Sequence, residues 1–85
     1  MTEPAEIDRV SARLAEIRGK ASTPDAGVVV ETDISGRITD LHLSDRAMTW
    51  GPHRLARSIA DRHRAAMTQV YTEAEQVFSM LDADR

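Results

Sequence analysis

From Pro52 to about Leu81 nothing in the sequence breaks a helix. Gly51 followed by Pro52 marks its start, because proline at the first helical position gives up an N–H that has no intrahelical partner there. Leu55, Ile59, Ala66, Val70, Val77 and Leu81 then recur at spacings of four, seven, four, seven and four, a heptad pattern held throughout. Ala56, Ala60, Met67, Ala74 and Phe78 widen the stripe. A helix over residues 52–82, about 30 residues at 1.5 Å each, is roughly 45 Å long. A compact chain of 85 residues is only about 30 Å across. The helix must therefore project, and its apolar stripe continues onto the projecting part. Burying that stripe calls for a second chain, and a homodimer is the economical solution. On this reading Leu55, Ile59, His63, Val70, Val77 and Leu81 form an interface between chains. His63 falls mid-stripe, among Ile59, Met67 and Ala74, where a histidine is expected to be neutral and hydrogen-bonded across packed surfaces.

A second element precedes it. "VVVETDISGRITDLHLS", residues 28–44, reads as two strands around a tight turn. Val28, Val30 and Thr32 share one face of the first strand, with Val29, Glu31 and Asp33 on the other. Gly36 supplies the positive φ that the turn needs. Leu41 and Leu43 alternate with Asp40 and His42, and Ile38 is out of phase with Leu41, which predicts a bulge near Thr39 or Asp40. One sheet face is apolar and the other charged, so the sheet is covered on one side only. A lone hairpin is marginal in water, so Leu41 and Leu43 join the residues expected at the dimer interface.

Ahead of the hairpin, Ile7, Val10, Leu14 and Ile17 are spaced three, four and three, the narrow seam of a helix resting on one neighbour. That helix is expected over residues 3–19, starting near Thr2 or Glu3 with Pro4 in its first turn and stopping at Gly19. "KASTPDAG" reads as a loop, and "SDRAMTWGP" as a connector. The fold class is α+β in the order α-β-β-α, one domain over residues 1–85. Only Trp50, Tyr71 and Phe78 are aromatic, so the core must be aliphatic and alanine-rich.

Composition narrows the chemistry. There is no cysteine, which removes disulfides and thiolate zinc sites. No apolar run approaches the ~20 residues of a membrane span, and "MTEPAEIDR" does not read as a secretory leader, so a cytoplasmic protein is expected. His42, His53 and His63 are too widely spaced to meet on one helix face, and no nucleophile motif, glycine-rich phosphate loop or carboxylate pair stands out. Neither catalysis, a metal nor a cofactor is expected. Net charge is −3, but residues 51–71 are locally basic, with four arginines against Asp61 alone. On a helical wheel Arg54, Arg57 and Arg64 fall on one stripe with Asp61 among them, and Arg62 borders the apolar side. This pattern fits a ridge contacting phosphates, repeated in a dimer. It also fits a solvated polar face with local pairs such as Arg57 with Asp61. No aromatics are interleaved to stack on single-stranded bases.

The whole layout resembles the YbaB/EbfC family of bacterial nucleoid-associated proteins. The resemblance rests on Gly27, Val28 and Val30, Gly36, Leu41 and Leu43, and on Leu55 and Ile59 opening the last helix. It is closest to the actinobacterial branch, some of whose members are encoded with type VII secretion systems. The resemblance implies a tweezer-shaped homodimer with joined sheets and projecting helical arms, no enzymatic activity, and binding to double-stranded DNA with little sequence preference in the cytoplasmic nucleoid. Arg54, Arg57, Arg62 and Arg64 are then the expected DNA contacts. For secretion-linked relatives it implies instead a protein-interaction module whose partner belongs to the secretion system.

Overall fold

A computed structural model describes residues 4–83, with the side chains of residues 7–80. The chain folds as α1 (Pro4–Glu16), β1 (Gly19–Ser22), β2 (Val28–Thr32), β3 (Ile38–Leu43), a 3-10 turn (Ala47–Thr49) and α2 (Pro52–Ala83). The starts expected at Thr2 or Glu3, and the side chain of Leu81, lie outside the described residues.

α1 stops earlier than its glycine suggests. The Ile17 N–H bonds the Leu14 carbonyl at 3.2 Å in a tightened last turn. Arg18 Nη1 then donates to the carbonyls of Ala15 and Ile17 at 2.9 and 2.8 Å, so a guanidinium caps the helix end. Gly19 is therefore free to begin a strand. The first three residues of the segment read as a loop, 20–22, belong with Gly19 to β1, antiparallel to β2 with Gly19 opposite Thr32 and Ser22 opposite Val29. The sheet has three strands in the order β1-β2-β3. Gly19 is needed because β1 runs against α2: a Cβ there would collide with the Ala66 carbonyl oxygen.

Two short connections fix the sheet's register. Between β1 and β2, Asp25 Oδ1 accepts the Gly27 N–H at 3.0 Å and the Thr23 hydroxyl at 2.8 Å, while Ala26 takes φ 57°. The Gly27 N–H, and after it the Thr23 hydroxyl, holds the Asp25 carboxyl below its ordinary range. Between β2 and β3, Asp33 Oδ1 accepts from the Ser35 hydroxyl at 2.6 Å and from the N–H groups of Ser35 and Arg37, both at 3.0 Å. The Ser35 hydroxyl is the main reason that the Asp33 pKa is lowered. Gly36 sits at φ 87°. In the β2–β3 ladder the partner of Glu31 is Asp40 and that of Thr32 is Ile38, so Thr39 is the extra residue of a bulge, as the phase of the leucines predicts.

α2 lies across one face of β1 and β2 and leaves the other face open. Val28 and Val30 are fully buried, and with Ala47 they pack against Leu43, Trp50, Leu55 and Ile59. A second cluster joins Ile17, Val70 and Val77, flanked by Val10, Leu14, Met67 and Ala74. Since Gly19 touches α2 at Ala66, α1 must run back antiparallel along the second half of α2. Both clusters are aliphatic apart from Trp50. Tyr71 and Phe78 are exposed, 60% and 51%. Thr32, the buried polar residue, donates its hydroxyl to the Arg37 carbonyl at 2.9 Å, so its burial leaves no unmet hydrogen bond.

The long helix does project: the molecule measures 54 × 17 × 17 Å. The expected consequence needs correction, however. Val70 and Val77 are 0% and 7% exposed within a single chain, because the α1 seam covers them. Leu55 and Ile59 pack on the chain's own β2. Val70 and Val77 were expected between chains and are covered inside one, whereas Leu55 and Ile59 are half-buried and keep part of their surface exposed.

Candidate nucleic-acid interface

α2 opens with Gly51, whose carbonyl accepts the Leu55 N–H at 3.0 Å. Pro52 occupies the first helical position, and no acidic residue lies in the first turn. The positive end of the helix dipole is therefore not neutralised locally, and the arginines that follow add to it. Arg54, Arg57 and Arg64 are exposed and Arg62 is half-buried, the division that the wheel predicts.

Each arginine meets a different environment. Arg64 Nη1 lies 3.4 Å from Asp61 Oδ1, with side chains 79% and 49% exposed. A pair so open to solvent contributes at most about 1 kcal/mol, and it is readily exchanged for a phosphate. Arg62 Nη1 reaches the Ser22 carbonyl at 3.4 Å, a long contact that turns it toward β1 rather than along the exposed stripe. Arg57 has no ion pair among the described residues. Arg54 places its guanidinium carbon 4.2 Å from the centre of the Trp50 ring. Sequence reasoning singled out Arg54 but missed its support. The signal was available: Trp50 precedes Arg54 by four residues across a helix start. With Arg54 over it, the indole is no free platform for a base.

His63 is half-buried and sits 2.9 Å from the Gly36 carbonyl through Nε2. A carbonyl can only accept, so Nε2 carries the hydrogen. The expected hydrogen bond exists, but it ties α2 to the β2–β3 turn of the same chain rather than crossing to another. His42 is exposed on the open sheet face, two residues from Asp40 in β3. Among the described residues no group of three or more histidine or carboxylate side chains comes together to hold a metal. No described helix is long and apolar enough to cross a membrane.

The two edges of the sheet differ. On the outer side of β1, the Lys20 N–H donates to Gln69 Oε1 at 3.0 Å and Gln69 Nε2 donates to the Lys20 carbonyl at 2.7 Å. A side-chain amide from α2 thus occupies the place where a further strand would pair. Among the described residues no side chain bonds the free edge of β3 in this way. Ile38 and Leu41 on β3 are 41% and 42% exposed, opposite Thr32 and Val30 in the ladder and so on the helix-bearing side of the sheet. Leu43 is half-buried.

No curated protein matches the chain. Among models of protein families, that of the YbaB/EbfC DNA-binding family matches residues 3–84, a span holding both helices, all three strands and every arginine discussed above. On that match over nearly its whole length, the chain belongs to the YbaB/EbfC DNA-binding family.

Proposed function

We propose that the protein works as a homodimer that binds double-stranded DNA with little sequence preference in the cytoplasmic nucleoid. The observation that carries this reading is the exposed row Arg54, Arg57 and Arg64 on one stripe of α2, next to a helix start with no acidic residue in its first turn. Phosphate contacts of this kind give affinity without sequence information. The net charge of −3 does not oppose it, because the acidic residues lie mainly outside residues 51–71. Two copies joined through β3 would place both arginine rows on one assembly.

The test is a duplex-binding titration at several salt concentrations. Wild type should lose affinity steeply as salt rises, by about 0.9 in the log–log slope per phosphate neutralised. Replacing Arg54, Arg57 and Arg64 together by Ala should change stability little, about 0.5 kcal/mol or less per exposed site. Affinity should fall by at least about tenfold, with a slope shallower by about 1 per contact removed. A triple variant that binds like wild type would reduce the row to a solvated face.

A second reading places the chain in the actinobacterial branch and assigns it a protein partner from a type VII secretion system in place of DNA. What favours it is the exposure of Tyr71, Phe78 and Met80 on the projecting part of α2, apolar surface that DNA binding does not use. Salt-insensitive or absent DNA binding by wild type would select it.

A further inference from the structure

We infer that Trp50 is a positioning residue for DNA binding: its ring holds the Arg54 guanidinium flat and ready to fork onto a phosphate. The inference rests on the DNA-binding reading above. Trp50 is the only tryptophan in the chain, and three features hold it still. Its backbone N–H bonds the Ala47 carbonyl at 3.0 Å, its backbone is extended at φ −68°, ψ 151°, and the residue is half-buried, packed against the Val28, Val30 and Ala47 cluster. Arg54 rests on this fixed surface at 4.2 Å.

The mode of restraint matters chemically. A carboxylate that fixes an arginine engages its in-plane N–H donors, as Asp61 engages Nη1 of Arg64 at 3.4 Å. An aromatic ring engages only the face of the guanidinium and leaves the donors around its edge free. Those donors match two phosphate oxygens side by side. Ordering the side chain before binding also removes entropy that contact with a phosphate would otherwise cost. Among the described residues no ring supports Arg57, so the two neighbouring arginines of the row should respond differently to loss of the Trp50 ring.

The experiment is a double-mutant cycle read by duplex-DNA affinity and its salt slope, using Trp50→Leu, Arg54→Ala and the pair, with Arg57→Ala as a second background. Arg54→Ala should make the slope shallower by about 0.9. Trp50→Leu should weaken binding about two- to fivefold with an unchanged slope, since every phosphate contact can still form. That loss should vanish when Arg54 is already Ala and persist when Arg57 is Ala. Trp50→Phe, which keeps a ring in the core, should fall between wild type and Trp50→Leu; it serves as the test variant if Trp50→Leu fails to melt cooperatively. An equal loss in all three backgrounds, or none in any, overturns the inference while leaving DNA binding intact. A wild type without salt-dependent DNA binding overturns the DNA reading and this inference with it.

Discussion

A single methyl group decides whether β1 can lie where it does. At Gly19 an added Cβ would run into the Ala66 carbonyl oxygen, with the Ala66 carbonyl carbon at 2.8 Å and Val70 Cγ2 at 2.9 Å behind it. Two of these are helix backbone and cannot step aside. Gly36 is different: its Cβ would sit 3.9 Å from Met67, ordinary contact, and only φ 87° resists a side chain. Gly36→Ala should therefore cost about 1–2 kcal/mol, the left-handed penalty alone. Gly19→Ala should cost about 3 kcal/mol or more, because strand and helix must separate. Urea melts of both variants decide it; a Gly19→Ala no weaker than Gly36→Ala would mean that β1 does not pack on α2 as described. The two glycines also differ in legibility. "DISG" is local turn chemistry, readable from four neighbours. The reason for Gly19 lies on another element, so its glycine passes for a helix stop.

Which chain covers an apolar stripe is a question for whole elements. The heptad on α2 fixes which side is apolar, and the bulge at Thr39 follows from the phase of Ile38 and Leu41; both are periodicities within one element. Periodicity says nothing about the identity of the cover. Here Val10 and Leu14 on α1 and Ile17 just past its end supply it, and Val70 and Val77 are buried without a partner chain. β1 left no trace either, since "GKAS" has no run of β-branched or alternating apolar residues; it is held by the β2 ladder and by Gln69. The arginine row was legible because exposure on a wheel is again periodic, whereas the Trp50 support depends on where a connector turns. Val70→Asp tests the assignment. A carboxylate at a fully buried site should cost several kcal/mol and should do so at any protein concentration, because the fold of one chain is what fails. A loss that disappears at high concentration would return Val70 to an interface between chains.

A rod of 54 × 17 × 17 Å with one guarded and one unguarded sheet edge is half of something larger under the dimer reading. Free edge strands invite pairing, and β1 is excluded from it by the Gln69 amide. Among the described residues no side chain guards β3 in this way, and the strand carries exposed apolar side chains of its own, Ile38 and Leu41. A two-fold pairing of β3 with its copy makes a six-stranded sheet and sets Leu41 close to the symmetry axis, the isologous arrangement expected of homodimers. Leu41→Lys should disturb one chain little, because the site is 42% exposed. In the dimer it would bring two cations together beside a buried seam, and association should weaken by at least about tenfold. Light scattering at micromolar concentration should then give twice 9.4 kDa for wild type and 9.4 kDa for the variant. The salt slope of DNA binding should drop to about half, since each phosphate-contacting row would act alone. A variant that stays dimeric would move the joint away from β3, and a monomeric wild type would leave each arginine row to bind by itself.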